Sequence, residues 1–406
     1  MKQQPSNPSV SPARRAAFDI LRRVETEGAY AAVLISALPQ SALSREDRAL
    51  AQEITLGVLR HRLSLDYFIE RYARRSIKRL DIAVLIALRM GLYQLRHLTR
   101  IPHSAAVNES VNLVKRARAK SAAPMVNAVL RNAARHLDDQ PGEDRDDRLE
   151  RLAIETSHPA WLLERWIKAF GESEARALAM ANNETPLMGF RVNTLRAEAQ
   201  EVIAQLEREG VTVRSSEIAP GAFVSESGGA SLARAAERGT IYIQDEASLL
   251  VSLLIEPKRG ERLLDLCAAP GSKSSHLAAL TDDAAWIVAC DLHPHRLVSL
   301  KASAERLGIK SINAVALDAT RTLPFMAGAP RFDRVLIDAP CTGTGTLRRN
   351  PEIKWRLATE DISRLPNSIE PACAGDRSAA ARWAAGLFDL FHRARRKRRG
   401  DPSIHR

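Results

Sequence analysis

The segment 263–273 decides the fold and reads Leu263-Leu264-Asp265-Leu266-Cys267-Ala268-Ala269-Pro270-Gly271-Ser272-Lys273. It starts as a short apolar strand, turns through small residues and leads into the helical stretch 274–280. This order predicts the crevice where doubly wound α/β sheets bind ligands, with small side chains and free helix N–H groups facing the ligand. The turn matches neither a dinucleotide fingerprint nor a phosphate-binding Gly-Lys-Ser/Thr loop, which disfavours those ligands.

Three further strand candidates each end in an acidic residue. The strands run over 286–290, 314–317 and 334–337, and the acids that follow them are Asp291, Asp318 and Asp338. A carboxylate after the second strand suits a ribose diol, and one after the third suits an adenine amino group. Any one of them could instead cap a helix. Three acids that each follow one of three consecutive strands together favour a ligand, and the expected ligand is an adenosine compound without phosphates.

The charge is unevenly distributed along the 406 residues. The chain carries +12 overall, of which residues 1–140 contribute +11 and residues 365–406 contribute +5, leaving −4 for residues 141–364. A basic N-terminal module on a mildly acidic body suggests a polyanionic partner, most simply nucleic acid. A solvated basic surface is the alternative interpretation of the same composition.

Several classes of protein are excluded by composition. No run of about 18 apolar residues is present, and no apolar core follows Lys2, so neither a transmembrane helix nor a secretory signal is expected. The four cysteines form no Cys-x-x-Cys pair, which argues against a disulfide scaffold and a thiolate zinc site and favours the cytoplasm. His293 and His295 are interpreted as solvated loop residues, so no metal site is expected.

The remaining pattern predicts the domain organisation. Helical periodicity covers the N-terminal third, where Ser44 is expected to cap one helix, with Asp47 three residues on, and Ser104 to cap another. A polar Pro-Gly stretch then separates it from a small mixed module. The predicted segments are a flexible tail 1–12, an all-α domain 13–137, a linker 138–150, a small α+β module 151–240, an α/β domain 241–364 and a C-terminal tail 365–406.

Two sets of motifs now resemble known families. The run Asp338-Ala339-Pro340-Cys341-Thr342-Gly343-Thr344-Gly345, with the loop 267–273 and Gln244-Asp245-Glu246-Ala247-Ser248 upstream, is similar to S-adenosylmethionine-dependent RNA cytosine-5 methyltransferases. The stretches 101–109 and 126–131 resemble the antiterminator NusB. This pairing of domains resembles the RsmB (Sun, Fmu) family of bacterial 16S ribosomal RNA methyltransferases, and it covers residues 13 to about 364.

The resemblance implies a fold and a set of roles. It implies a NusB-like all-α RNA-binding domain, a small α+β module and a doubly wound, Rossmann-like methyltransferase domain that is incomplete at its C-terminal end. It also implies a monomer whose partner is 16S ribosomal RNA and which does not associate with a membrane. The implied S-adenosylmethionine contacts are Cys267, Ala268, Ala269, Pro270, Gly271, Ser272 and Lys273 for the methionine part, Asp291 for the ribose, Asp318 for the adenine, and Asp338, which would also face cytosine N3.

The implied chemistry needs a cysteine nucleophile. A thiolate that adds to C6 of cytosine makes C5 nucleophilic enough to accept a methyl group, and an acid near N3 stabilises the adduct. The target base must be unstacked to be reached. In the family, the cysteine of the Pro-Cys motif, here Cys341, assists product release, and a later Thr-Cys-Ser motif holds the nucleophile.

This chain departs from that pattern after about Arg364. It contains no Thr-Cys-Ser, and Cys373 lies in a context that does not match. Shifting the reading frame of residues 382–399 forward by one nucleotide permits Gly-Gly-Arg-Leu-Val-Tyr-Ser-Thr-Cys-Ser-Ile-Glu-Pro-Glu-Glu-Asn-Glu, with the cysteine codon formed at Leu390 and Phe391. The hypothesis is a one-base frameshift near Leu365. A genuine divergent tail that binds RNA through its arginines is the alternative.

Other interpretations stay open. The chain could be a catalytically dead RNA-binding remnant, or Cys341 could itself be the nucleophile, as in DNA cytosine-5 enzymes. An amino-group methyltransferase is disfavoured, because Ala339-Pro340-Cys341 stands where a Pro-Pro-aromatic element is needed. The basic residues Arg348, Arg349, Lys354 and Arg356 could contact phosphates or form a solvated face.

Overall fold

The computed structural model describes residues 10–39, 43–321, 332–339 and 341–364. The expectations for residues 365–406, including Cys373 and the frameshift, and for most of the tail 1–12 lie outside the described residues. The described residues form two compact units: one takes residues up to Pro186 together with Thr342–Ile362, and the other takes Leu187–Cys341.

The described part of the first unit is helical. Its core is built around a central helix, Ile82–His97, in which every residue from Ala83 to Leu95 is buried because apolar side chains occur on all of its faces. Helices of this unit are α1 (Pro12–Glu27), α2 (Ala31–Ser36), α3 (Arg45–Arg60), α4 (Arg62–Ala73), α5 (Ile82–His97), α6 (His103–Arg116), α7 (Ala123–Ala133), α8 (Arg148–Thr156), α9 (Ala160–Phe170) and α10 (Glu172–Asn183).

Of the two helix caps predicted in this unit, one is confirmed and one is wrong. The Ser44 hydroxyl accepts a hydrogen bond from the Asp47 amide at 3.0 Å at the start of α3. Ser104, by contrast, lies inside α6, which begins at His103 with Pro102 as its N-cap. The Pro102 carbonyl accepts from the amides of Ala105 and Ala106, so the first turn is already closed two residues earlier than predicted.

One cluster of charged side chains in the first unit is buried and paired. The Arg89 guanidinium on α5 binds both carboxylate oxygens of Asp66 on α4, at 2.6 and 2.8 Å, and Glu25 on α1 at 2.9 Å. Arg62 binds the same Glu25 at 3.1 Å. Burial raises the pKa of Asp66 and the neighbouring Arg89 opposes that rise. Three helices are therefore joined by one desolvated ion-pair cluster.

The stretch predicted as a linker also contacts the helical unit. Between α7 and α8, Tyr72 donates a hydrogen bond to Asp139 at 3.0 Å, Arg71 binds Glu143 at 2.7 Å, and Tyr67 donates to Asp144 at 2.8 Å. These donors all lie on α4. The predicted domain boundaries, including those of the linker, stay predictions.

The second unit contains two four-stranded sheets. The first has the order β2-β3-β1-β4 and is antiparallel, and the second has the order β7-β6-β5-β8 and is wholly parallel. The strands are β1 (Met188–Val192), β2 (Val213–Ser215), β3 (Ala222–Ser225), β4 (Ile241–Ile243), β5 (Arg262–Asp265), β6 (Trp286–Asp291), β7 (Ile312–Ala316) and β8 (Arg334–Leu336). The helices of this unit are α11 (Ala199–Arg208), α12 (Gly229–Glu237), α13 (Glu246–Ile255), α14 (Ser272–Leu280) and α15 (Pro294–Leu307). After Cys341, α16 (Ile353–Arg356) belongs to the first unit, and α17 (Thr359–Arg364) crosses its boundary at Ile362.

The parallel sheet confirms the predicted α/β class. In the register of the central strand β5, Leu264 lies between Val288 of β6 and Val335 of β8. The four parallel strands coincide with the four apolar runs read from the sequence, and helices α14 and α15 are the crossovers between β5, β6 and β7. The carboxyl ends of β5, β6 and β8 consequently meet at one edge of the sheet.

Acid should destabilise the protein through two buried histidines. Burial lowers the pKa of His158 to about 3 and that of His276 to about 3. In the unfolded chain each titrates near about 6.5, so the unfolded state binds more protons below that pH and unfolding is favoured as the pH falls. Each histidine is expected to lower the free energy of unfolding by about 2 kcal/mol between pH 7 and pH 5.

Urea unfolding at pH 7, 6 and 5 measures this dependence. His158→Gln and His276→Gln should each flatten the pH dependence, whereas the control His136→Gln, at an exposed position, should leave it unchanged. An undiminished slope in both buried-site variants would contradict the assignment.

Candidate functional site

The loop after β5 lies at the carboxyl edge of the parallel sheet. Backbone hydrogen bonds fix both of its sides: the Ala268 amide donates to the Cys290 carbonyl at 2.7 Å, and the Leu266 amide donates to the Leu336 carbonyl at 3.0 Å. Gly271 is the N-cap of α14 and has φ +101°, a conformation that L side chains rarely adopt. The small residues of this loop therefore lead directly into the N-terminus of α14.

Asp265 forms the floor of this loop and was not singled out from the sequence. It is fully buried, its Oδ2 accepts from the Ser274 hydroxyl at 2.6 Å, and its Oδ1 has no hydrogen-bond partner among the described residues. Burial raises the pKa of this carboxyl group to about 6. An acid inside an apolar strand was the signal in the sequence that could have identified it.

Asp291 ends β6 and is held by its neighbours. Its side chain is buried, with Oδ1 accepting from the His293 amide at 3.0 Å and Oδ2 lying 3.1 Å from the Arg296 guanidinium. Arg296 also donates to the Ala269 carbonyl at 3.0 Å. Arg296, which the sequence analysis missed, thus joins the end of β6 to the loop after β5.

An ion pair joins the loop to the Pro-Cys motif. The Lys273 ammonium lies 2.6 Å from Asp338 Oδ2, and about half of the Asp338 side chain is exposed. Cys341 follows three residues later and is exposed, while Pro340 lies outside the described residues. The structure therefore brings Lys273 and Asp338 together at the carboxyl edge of the sheet, and the place of Cys341 in the site stays a prediction.

Asp318 follows β7 and has local partners. Its Oδ1 accepts from both the amide and the hydroxyl of Thr320, and Oδ2 lies 3.2 Å from Arg321. These hydrogen bonds, with the Thr320 hydroxyl first, lower the pKa of Asp318. These bonds close a local turn over residues 318–321, where the described chain begins no helix for Asp318 to cap, and an adenine contact stays a prediction.

The cysteines at the strand ends differ from Cys341 in their surroundings. Burial raises the pKa of the Cys267 thiol to about 11 and that of Cys290 to about 12, with Asp265 the next cause in both cases. Both thiols therefore stay protonated at neutral pH and are poor nucleophiles. Among the described cysteines, Cys341 alone is exposed.

Arg191 connects the antiparallel sheet to the helix that follows the loop. Its guanidinium, on β1, donates to the Ser275 hydroxyl on α14 at 2.9 Å and lies 5.2 Å from the centre of the Tyr242 ring on β4. Burial lowers the pKa of Arg191 to about 10. This buried arginine thus fixes α14, whose N-terminus borders the loop.

The basic residues after Cys341 do not form one surface. Lys354 is 1% exposed, so neither a phosphate contact nor a solvated face describes it. Arg348 binds Glu184 at 3.0 Å, and Arg356 donates to the Ala29 carbonyl. The proposed phosphate-binding series was therefore wrong for Lys354, because this side chain makes its contacts with residues far away in sequence.

Within the described residues, no group of three or more histidine, cysteine, aspartate or glutamate side chains is arranged to hold a metal ion. Nor is any helix in the described ranges long and apolar enough to cross a membrane.

The domain order of the chain matches three protein-family models. Residues 11–135 match the NusB family, residues 158–230 match a ferredoxin-like domain of RsmF/B-like methyltransferases, and residues 252–370 match the 16S rRNA methyltransferase RsmB/F. A helical NusB-type domain, a ferredoxin-like module and a parallel-sheet methyltransferase domain together define an rRNA methyltransferase.

Relatives cover most of the chain. The probable ribosomal RNA small subunit methyltransferase B of Bacillus subtilis is 35% identical over 87% of this chain and 78% of its own length. The ribosomal RNA small subunit methyltransferase B of Pseudomonas putida is 34% identical over 82% and 76%. The crystal structure of the protein PH0851 superposes with a TM-score of 0.71 at 28% identity, covering 90% of this chain and 83% of that one. The chain belongs to the 16S rRNA methyltransferase RsmB/F family.

Proposed function

We propose that the protein family to which this chain belongs uses this site to transfer a methyl group from S-adenosylmethionine to C5 of a cytosine in 16S rRNA. The Lys273–Asp338 ion pair at 2.6 Å is the observation that carries the proposal, because it brings the small-residue loop and the Asp-Ala-Pro-Cys motif together. The loop suits a bound cofactor, and the Asp-Ala-Pro-Cys motif supplies a carboxyl group and a thiol for a cytosine base.

The residues around the loop fit S-adenosylmethionine. One buried oxygen of Asp265 has no hydrogen-bond partner within the described ranges, as expected where a polar ligand or an ordered water completes the hydrogen bonding. The backbone of residues 267–271 and the N-terminus of α14 lie at the carboxyl edge of the sheet, where small residues allow close approach. Asp291 would accept from the ribose hydroxyls, and Asp318 would lie by the adenine.

Each protein group has a distinct task in the proposed reaction. S-adenosylmethionine supplies an electrophilic methyl group when bound. Asp338 would form a hydrogen bond at cytosine N3 and so stabilise a ring to which a thiolate has added at C6. Lys273 would orient the Asp338 carboxyl group through the ion pair. Cys341 would assist the release of the product after the C5 proton has been removed.

According to this proposal, the chain lacks the cysteine nucleophile. The family match ends at residue 370, and the sequence contains no Thr-Cys-Ser. A one-base frameshift near Leu365 accounts for both facts, because the shifted frame restores that motif. The chain as given would then bind cofactor and RNA without turnover. The location in the cytoplasm and the monomeric state stay predictions.

Methyl transfer from tritiated S-adenosylmethionine to 16S rRNA tests the function, and bisulfite sequencing of the product tests the C5 position. Transfer to a cytosine C5 by the frame-restored chain supports the proposal. Methylation at an amino group or on another substrate would refute the cytosine-5 assignment.

Removing the carboxylate at the end of β6 should weaken cofactor binding. Asp291→Ala is expected to raise the dissociation constant for S-adenosylmethionine about tenfold to a hundredfold, because hydrogen bonds to a charged group contribute about 1.5–3 kcal/mol. Isothermal titration calorimetry on the full chain measures it. The control Glu305→Ala, at an exposed position near the end of α15, should bind like the parent. Equal affinities for both variants would contradict the ribose role.

A catalytically dead RNA-binding remnant is the second candidate. It is favoured by the net charge of +11 on residues 1–140 and by the missing Thr-Cys-Ser. Confirmation of the printed sequence by resequencing, together with RNA binding that needs no S-adenosylmethionine, would support the remnant over the frameshift.

A further inference from the structure

Helix α15 packs directly against the loop after β5. Leu297 and Leu300 of this helix are buried in one cluster with Ala268 of the loop. A Cβ atom at Gly271 would lie only 3.0 Å from the Leu300 side chain, so the loop and the helix are already in close contact there. The first turn of α15, which carries Arg296, is therefore fixed relative to the loop by apolar packing.

Arg296 uses two different nitrogen atoms to bridge the end of β6 and the loop. Its Nη1 lies 3.1 Å from Asp291 Oδ2 and 3.5 Å from Oδ1, and its Nη2 donates to the Ala269 carbonyl at 3.0 Å. A guanidinium group is planar, so its nitrogens hold two acceptors at a fixed separation. All three residues belong to the same compact unit. The Asp291 carboxylate and the loop carbonyl are therefore held in one geometry.

The Asp291 carboxylate is oriented and still has capacity for a ligand. Its side chain is 4% exposed, and Oδ1 also accepts from the His293 amide at 3.0 Å. A carboxylate offers about four acceptor positions, of which these contacts occupy at most three. Because a backbone amide holds one oxygen and Arg296 holds the other, the carboxyl group is restrained before any ligand binds. A hydroxyl donor therefore meets an acceptor whose direction is already set.

We propose that Arg296 is a positioning residue that gives the cofactor site its preference for a ribose diol: it orients the Asp291 carboxylate relative to the loop that takes the methionine part. The proposal rests on the proposed function in assigning Asp291 to the ribose. It adds that selectivity for the sugar hydroxyls depends on a side chain outside the loop and outside the acidic strand ends. Arg296 acts through Asp291 and the Ala269 carbonyl in this assignment.

The test compares two ligands by isothermal titration calorimetry on the full chain: S-adenosylhomocysteine and its 2′,3′-dideoxy analogue, which lacks both sugar hydroxyls. The parent should bind the analogue about tenfold to a hundredfold more weakly, as expected for lost hydrogen bonds to a charged group. In Arg296→Met, which keeps the length of the side chain without its donors, this preference should fall to about threefold or less. The control Lys301→Met, at an exposed position on α15, should keep the preference of the parent.

The ratio of the two dissociation constants is a readout that simple destabilisation does not move. A general loosening of the site weakens both ligands by the same factor and leaves the ratio constant. Loss of the oriented carboxylate weakens only the ligand that carries the hydroxyls. An unchanged or larger ratio in Arg296→Met would overturn the proposal.

A gentler variant covers the case in which Arg296→Met fails to fold. Arg296→Lys keeps the positive charge but not the planar fork, so the preference should fall by a smaller factor. A ratio equal to that of the parent in the folded Arg296→Lys protein would overturn the proposal.

The parent chain separates this inference from the proposed function. Failure of the parent to bind S-adenosylhomocysteine counts against the proposed function. Binding without a preference for the hydroxyls would refute the ribose role of Asp291 and this inference with it. A preference in the parent that persists in the Arg296 variants counts against this inference alone.

Discussion

Restoring the reading frame after Leu365 should turn an inactive chain into an enzyme. We expect methyl transfer to 16S rRNA to rise by at least about a thousandfold, because loss of a catalytic nucleophile costs on the order of 10⁶ in kcat in a well-studied protease. The rise comes from the cysteine of the restored Thr-Cys-Ser, whose thiolate activates the cytosine ring. Tritium transfer from S-adenosylmethionine to the RNA measures it.

The control is the frame-restored chain in which that new cysteine is replaced by alanine. It should return to the background of the chain as given. If the chain as given already transfers methyl groups and Cys341→Ala abolishes this, then Cys341 is the nucleophile. Resequencing the DNA across the codons for residues 355–400 comes first, since an unaltered sequence would mean a disrupted gene or a tail with a new use.

Breaking the buried ion-pair cluster of the helical unit should cost the most stability. Arg89→Met leaves the buried carboxylate of Asp66 without its bidentate partner, so the free energy of unfolding should fall by about 3–5 kcal/mol. The matched control is Arg23→Met, whose exposed pair with Glu27 should cost less than about 1 kcal/mol. Urea unfolding at pH 7 provides both values.

A double variant isolates the cause of that loss. Arg89→Met with Asp66→Leu removes both charges and should recover most of the stability, because an apolar pair avoids the desolvation cost. A loss below about 1 kcal/mol in the single variant, or no recovery in the double variant, would show that the cluster is not energetically coupled in this way.

The parallel sheet could be predicted because its signal is local. Each strand is a short apolar run followed by an acid or a small-residue turn, and the backbone geometry at these ends follows from neighbouring residues. The Ser44 cap is local for the same reason. Ser104 has cap-like surroundings in the sequence, as Ser44 does, but the prediction for Ser104 was wrong because Pro102 already caps the first turn of α6.

Long-range partners could not be predicted. Lys354 lies in a basic stretch that suggested phosphates, yet its three acceptors come from residues 60, 157 and 183. Arg191 and Arg296 are ordinary strand and helix residues in the sequence, and only the fold brings them to Ser275 and to Asp291. Contacts of this kind depend on which elements meet, and no local pattern encodes that.

The helical unit is assembled from two distant stretches of the chain, residues up to Pro186 and Thr342–Ile362. During synthesis, domains generally fold from the N-terminus as they leave the ribosome. Here the nascent helices must wait for the whole second unit to be translated before Lys354 arrives. Until then, the carbonyl groups of Arg60 and Ser157 lack their lysine partner. The helical unit can therefore be completed only after the Pro-Cys motif has been translated.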